Sequence, residues 1–317
     1  MGCHDGLDTA DLPPFAKSNM SQNSTIAAPL IERLALGDVA STSLMTLLCR
    51  ARESESENPI LVDPVSVRFL EGLIPALADS SNPLFRSAAA GEVDSDAQTY
   101  VAMRARRFDR YALDFLARHS GGAIVNLGCG FDTRRFRLGI AGSDIVDLDL
   151  PEIIDARKRL LDEGEGGQLL ASSVMDFDWI ERLNLTPGRA VQFLAEGLLM
   201  YLTPDELQRL VLKLRSSFPG CELVGEVFNS FWLRGSARAE IDGKLRRKLH
   251  FGAGAMFKSG LSDSREMEGW GDGIEFVDEW RHFDESEPKL GRLRKLRHFP
   301  LFRRMQWTVR YRLGQAD

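Results

Sequence analysis

Two short patterns about twenty residues apart carry the most chemistry in this sequence. Val125-Asn126-Leu127-Gly128-Cys129-Gly130 reads as a strand running into a G-x-G turn. Paired glycines allow a tight turn and let a ligand reach the backbone without obstruction by a Cβ. The second pattern, Val146-Asp147-Leu148-Asp149-Leu150, reads as the next strand with an acid at its end. A carboxylate there can accept hydrogen bonds from both hydroxyls of a ribose. The third glycine of a dinucleotide fingerprint falls at position 133, where the chain has Thr133, so a pyrophosphate cradle is disfavoured. A glycine turn plus a ribose acid, without the phosphate loop, describes S-adenosylmethionine better than a nicotinamide dinucleotide. The bland alternative is a tight strand-to-helix turn followed by an incidental acid.

Arg104 is a third candidate. Residues 99–118 have a helical period, with Phe108, Tyr111 and Phe115 on one face and Arg104 on the same stripe. An arginine on an apolar stripe must find an anionic partner or reach water with its tip. A ligand carboxylate would serve, and so would a protein acid such as Asp132.

The elements that must position these residues follow from apolar runs and turn signals. Strands are expected at 123–127, 144–148, 169–174, 190–195 and 222–228, with helices at 153–161 and 206–217. Thr203-Pro204-Asp205-Glu206 is a helix start with proline at the first helical position. Strands alternating with helices imply βαβ units and a parallel sheet. Segments 274–277 and 306–312 are expected to complete it. Residues 1–25 read as a mobile leader and 26–120 as a helical cap, with helices at 31–52 and 65–77. The run Arg-Glu-Ser-Glu-Ser-Glu-Asn from Arg52 reads as a solvated loop. Residues 121–317 form the core, with a cap-type insertion at about 230–272. The fold class is α/β, a Rossmann-like doubly wound sheet with helices on both faces.

Composition narrows the function classes. The chain has 317 residues, 44% hydrophobic and 27% charged, which excludes wholesale disorder. A net charge of −6 excludes a generally polyanion-binding protein. Four cysteines with no CxxC pair offer neither a disulfide framework nor a zinc site, so no metal is expected. No apolar run is long enough for a membrane span, and no secretory signal opens the chain. The expectation is a cytoplasmic protein with no membrane partner. Between Pro288 and Ala316 stand nine Lys or Arg and no acid, interleaved with Phe299, Phe302 and Trp307. This superficially suggests nucleic acid, but the alternation within 306–312 reads as a closing strand with exposed arginines, so a solvated face is preferred.

Taken together, the blocks resemble a known family. Val125-Asn126-Leu127-Gly128-Cys129-Gly130-Phe131-Asp132-Thr133-Arg134 resembles the cofactor loop of the leucine carboxyl methyltransferase family, which includes polyketide O-methyltransferases of the tetracenomycin type. Val146-Asp147-Leu148-Asp149-Leu150-Pro151-Glu152-Ile153-Ile154 and Ala195-Glu196-Gly197-Leu198-Leu199-Met200-Tyr201-Leu202-Thr203-Pro204 match two further family blocks in order and spacing. The resemblance implies a class I methyltransferase fold, a seven-stranded, mostly parallel sheet with a helical cap. It implies S-adenosyl-L-methionine as cofactor and S-adenosyl-L-homocysteine as product. It assigns Arg104 to the cofactor's methionine carboxylate, Gly128 and Gly130 to its methionyl and ribose portion, and Asp149 to the ribose. Glu196 would lie beside the amino group, and Tyr201 would line the methyl-transfer pocket as the catalytic candidate. Asp132 also belongs to the implied cofactor set. Ser173 and Val174 fall where many members place the adenine contact, although Ser173 stands where an acid is usual and Asp176 is a substitute.

None of the five histidines, His4, His119, His250, His282 and His298, lies in a family block. A carboxylate acceptor is ionised near neutral pH and can attack directly, whereas a phenol needs a base. The expectation is therefore O-methylation of a carboxylate on a small, polyketide-like acceptor. Alternatives are a protein C-terminal carboxylate as acceptor, a non-catalytic cofactor-binding module, or a dinucleotide-dependent dehydrogenase. Oligomeric state is not legible.

Overall fold

The computed structural model describes residues 38–160, 167–249 and 256–314. The leader, the start of the first expected helix, His4 and His250 lie outside the described residues. The first described helix is α1, Asp38–Ser54, followed by α2, Pro64–Ala78, α3, Pro83–Ala89, and α4, Ser95–Arg118. Asp63 caps α2 by accepting from Ser66 N, and Pro64 occupies its first turn, where a missing N–H costs nothing.

The core then alternates. It runs β1 (Ala123–Leu127), α5 (Arg134–Leu138), β2 (Ile145–Asp149), α6 (Pro151–Leu160), β3 (Gln168–Ala171) and β4 (Val191–Ala195). It continues with α7 (Pro204–Ser217), β5 (Cys221–Phe228), α8 (Gly235–Leu249), β6 (Ile274–Trp280), α9 (Pro300–Arg303) and β7 (Gln306–Leu313). The strands form one seven-stranded sheet in the order β3-β2-β1-β4-β5-β7-β6. All pairs are parallel except those of β7, which inserts antiparallel between β5 and β6. This is the α/β, mostly parallel architecture expected. β1, β2, β4 and β5 are buried along their whole length, as strands covered on both faces must be.

Thr203 and Glu206 cap α7 reciprocally, each side chain bonding the other's backbone N–H. One large cluster, including Trp179, Phe193, Trp307 and Tyr311, fills one face of the sheet, and a smaller one with Phe108 and Phe115 of α4 covers the other. A separate cluster joins α1, α2 and α3 to Phe131 and α6, with the Phe69 and Phe131 rings 5.6 Å apart. That second cluster seats the helical cap on the glycine turn.

Two expectations need correction. The run from Arg52 is not a solvated loop throughout: α1 continues to Ser54, and Glu53 is fully buried. Glu53 accepts from Ile60 N at 2.8 Å, Gln98 Nε2 at 2.8 Å and Lys289 Nζ at 2.6 Å. The acidic run therefore contains a tertiary anchor, and its partners lie far off in sequence. The strand expected at 169–174 ends at Ala171, leaving Ser173 and Val174 in the following turn.

Four bases of the C-terminal stretch pair closely with acids in other segments. Lys289 pairs with Glu53, Arg303 with Asp284 at 2.7 Å, Arg304 with Glu279 at 3.2 Å and Arg310 with Asp278 at 2.5 Å. The part-exposed pairs of Arg303 and Arg304 contribute little to stability, whereas Lys289 reaches the buried Glu53.

Candidate active site

A cleft opens where β1 and β4 end, at the carboxyl edge of the parallel strands, where open α/β sheets bind ligands. Its floor is the turn of Gly128, Cys129 and Gly130. Thr42, Ser43, Thr46 and Arg50 of α1 form one wall, Arg104 comes from α4, and Glu196, Gly197 and Tyr201 follow β4. Of the residues singled out from the sequence, Arg104, Gly128, Gly130, Asp132, Glu196 and Tyr201 meet in this one cleft.

Gly128 and Gly130 have φ of +64° and +52°, the left-handed region that side chains avoid. Their lack of Cβ also matters sterically. A Cβ at position 128 would come within 3.0 Å of Leu198 Cδ1, and one at position 130 within 3.0 Å of Ser43 Oγ. The turn is held from behind by guanidinium groups. Arg157 Nη1 donates to the carbonyls of Gly130 and Asp132 at 2.9 Å each, and Arg50 Nη2 donates to that of Phe131 at 2.6 Å.

Asp149 sits under the turn, its carboxylate accepting from Gly130 N at 2.6 Å and Leu150 N at 2.7 Å. Burial pushes its carboxyl up to about 6, against the pull of those two N–H groups. Two backbone bonds leave acceptor capacity on a carboxylate, as a ribose diol requires. Thr133, at the place of a third glycine, donates its hydroxyl to Asp63 Oδ2 at 2.5 Å and caps no phosphate site.

Arg104 is buried and doubly paired. Its Nε donates to Glu196 Oε1 and its Nη1 to Glu226 Oε2, both at 2.9 Å. The protein partner weighed from the sequence, Asp132, is not among these contacts. Asp132 instead joins Arg134 and Arg137. Arg134 donates to Asp109 Oδ1 at 2.9 Å, Asn126 Oδ1 at 2.9 Å and Glu196 Oε2 at 2.7 Å. Burial alone would raise Glu196 and Asp132, but the surrounding guanidinium groups hold both below the usual carboxylate range. Asp132 Oδ2 lies 2.6 Å from Arg134 Nη1 yet is buried without a hydrogen-bond donor.

These features fit the cofactor read from the sequence. An α-amino acid head is a zwitterion, and Arg104 beside Glu196 and Asp132 offers complementary charges at one end of the cleft. The glycine turn leaves room that a Cβ would fill; Asp149 lies behind that turn and, like Ser173 and Val174, is not among the lining residues.

Ser173 and Val174 do not line the cleft. Ser173 Oγ accepts from Met175 N at 3.2 Å, and Val174 is buried with its carbonyl accepting from Trp179 Nε1 at 3.1 Å. Tyr201 packs edge-on against Phe257 with centroids 5.5 Å apart, and burial pushes its phenol well up. His282 is buried away from the cleft against Tyr100 and held down at about 4 by that burial. Residues not singled out from the sequence also matter here: Arg50, Arg134, Gly197 and Glu226. The sequence signal for Glu226 is an acid in the interior of a mostly apolar strand that also carries Glu222 near its start, and a buried acid demands a cation.

Among the described residues no helix is long and apolar enough to cross a membrane, and no cluster of His, Cys, Asp and Glu could hold a metal ion.

Comparison with known proteins agrees with this geometry. The family model for leucine carboxyl methyltransferase matches residues 43–214, more than half of the chain. A tetracenomycin polyketide synthesis O-methyltransferase of Streptomyces glaucescens is 27% identical over 254 residues, covering 80% of this chain and 86% of its own. An S-adenosyl-L-methionine-dependent methyltransferase of Gibberella zeae is 30% identical over 243 residues, covering 74% and 80%. Among solved structures, a Thermobifida fusca protein assigned as a methyltransferase superposes with a TM-score of 0.50 at 16% identity, covering 84% of this chain and 94% of its own. That likeness shows the fold.

Proposed function

The chain belongs to the leucine carboxyl methyltransferase family and is an S-adenosylmethionine-dependent methyltransferase, and from that premise we propose that it esterifies a carboxylate of a small acceptor. The observation that carries the reading is the Arg104–Glu196 pair at 2.9 Å beside the glycine turn. It is a ready complement to an amino-acid zwitterion. In this reading Arg104 holds the cofactor's carboxylate, Glu196 and Asp132 its ammonium group, and Asp149 its ribose. Gly128 and Gly130 keep the backbone close. When bound, the cofactor supplies a methyl carbon already activated by a positive sulfur.

The chain's own contribution is then to position the acceptor in line and to keep water out. Tyr201 and the α1 wall cover the cleft. The Cys129 thiol and the Tyr201 phenol that line it are both raised well above neutrality by burial, and Asp149 is committed below the turn. This supports an acceptor that needs no proton removed, which a carboxylate satisfies. Tyr201 lines the cleft, and Phe257 and Phe228 pack behind it in the core, with successive centroids 5.5 and 4.8 Å apart. Tyr201 and the polyketide relative favour a small acid over a protein terminus.

The test is a screen of carboxylic acids, phenols and peptides with free C-termini, using labelled cofactor and scoring alkali-labile methyl esters. Esters on small acids are expected. Turnover of phenols with none on any acid would overturn the carboxylate reading, and esterification of peptides alone would overturn the small acceptor.

A further inference from the structure

We propose that Glu226 is a positioning residue for cofactor binding, fixing the guanidinium of Arg104 so that its Nη1–Nη2 edge faces the space kept open by Gly197. The inference rests on the reading of Arg104 as the clamp for the cofactor's carboxylate. Glu226 lies inside β5 opposite Thr308 of β7, is fully buried, and does not line the cleft. A carboxylate in such a place is costly unless it has a cation and its lone pairs are satisfied.

Both of its oxygens are engaged. Oε1 accepts from the Tyr100 hydroxyl and from Gln306 Nε2 at 2.7 Å, and Oε2 accepts from Arg104 Nη1 at 2.9 Å. Tyr100 precedes Arg104 by four residues on α4, so the two share a helix face, and the guanidinium lies 5.7 Å from the Tyr100 ring centroid. Donors from α4 and β7 thus orient Glu226, and Glu226 in turn selects one terminal nitrogen of Arg104.

Space beside the terminal nitrogens is kept clear by a glycine, on the side where Glu226 Oε2 also lies. Gly197 has φ +67°, and a Cβ there would stand 3.6 Å from both Nη1 and Nη2 of Arg104. Any longer side chain would grow along the edge where a carboxylate docks in a two-pronged fashion. Glu196 holds Nε, Glu226 holds Nη1, and Gly197 leaves the terminal edge accessible. Net attraction is not what Glu226 adds, because an amino-acid head is zwitterionic and a nearby charge acts on its two ends oppositely. What remains is orientation, which is felt only by a ligand with a head group.

The test compares two ligands on three proteins. S-adenosylhomocysteine carries the amino-acid head, and 5′-methylthioadenosine keeps the nucleoside and thioether without it. Both are titrated calorimetrically into the wild type, Glu226→Gln and Tyr100→Phe. Glu226→Gln is expected to weaken S-adenosylhomocysteine about tenfold or more while 5′-methylthioadenosine changes less than about twofold, the size of one charge-assisted hydrogen bond and its geometry. Tyr100→Phe is expected to lose about threefold, for the head-bearing ligand only, and decides the matter if Glu226→Gln does not fold. Unchanged or tighter S-adenosylhomocysteine binding, or equal losses for both ligands, would overturn the inference. Failure of the wild type to bind S-adenosylhomocysteine would instead overturn the cofactor reading beneath it.

Discussion

Two buried arginines touch the same carboxylate, Glu196, and do different work. Arg134, which follows the glycine turn, directs Nε, Nη1 and Nη2 to Asp109, Asn126 and Glu196, with Asp132 alongside. These partners come from α4, β1, its turn and the end of β4, so Arg134 ties the helical cap to the sheet. Arg104 gives Nε and Nη1 to Glu196 and Glu226 and turns its terminal edge towards Gly197, which has no side chain to fill the space. Burial and ion pairing are alike at the two positions. Both line the cleft, and the difference lies in what is left after the pairs are made: all three nitrogens of Arg134 are engaged by protein, whereas Arg104 is paired through Nε and Nη1 and keeps Nη2 towards the cleft.

The same substitution at the two positions should therefore give different failures. Arg134→Lys removes a planar fork from a buried network and leaves carboxylates short of donors, so we expect a loss of roughly 3 kcal/mol in denaturant unfolding. Affinity for S-adenosylhomocysteine and 5′-methylthioadenosine should fall alike. Arg104→Lys keeps the positive charge beside Glu226 and Glu196 but loses two-pronged recognition. It should cost stability too, because Glu196 and the buried Glu226 lose a donor, but its loss of affinity should be selective: S-adenosylhomocysteine weakened by about thirtyfold, with 5′-methylthioadenosine unaffected. If the two variants behave alike, the distinction between the two arginines fails.

Asp149 sharpens the contrast through pH. Burial lifts its carboxyl to about 6. A raised acid contributes stability that is present below its ordinary carboxylate range and lost as pH rises through about 6. Ribose binding has the opposite sign, because the hydroxyls donate to the ionised form. Affinity for both ligands should rise with pH, approaching about tenfold per unit below pH 6, and level off above it. Asp149→Asn should bind weakly at every pH and flatten that profile. Glu196 and Asp132 are held low by their arginines and do not titrate in this window. The smallest effect is expected at the basic C-terminal face. Replacing Arg292, Arg294 and Arg297 with Glu should leave cofactor affinity, acceptor turnover and the unfolding midpoint unchanged, and a lost acceptor would make that face part of the site.

Much of this was legible because the strands that build the cleft are short, apolar and punctuated by glycine. The segment 123–127 and its turn, the acid ending β2 and the stripe bearing Arg104 are all local patterns. What was not legible depends on pairing between distant segments. Glu226, Tyr100 and Gln306 meet only because β7 inserts between β5 and β6, and chain order does not dictate neighbour order in a sheet. Glu53 reads as one acid in a solvated run until Gln98 and Lys289 are placed beside it. The strand before Ser173 and Val174 ends early, at Ala171, so those two residues sit in a turn outside the cleft.

The central claim is that the cleft holds S-adenosylmethionine from both ends, at Arg104 and at Asp149. Calorimetric titration of S-adenosylhomocysteine into the wild type, Arg104→Lys and Asp149→Asn tests it most directly. The account predicts micromolar binding by the wild type and a marked loss in each variant, with the Asp149 loss alone extending to 5′-methylthioadenosine. A folded wild type that does not bind, or variants that bind as the wild type does, would contradict it.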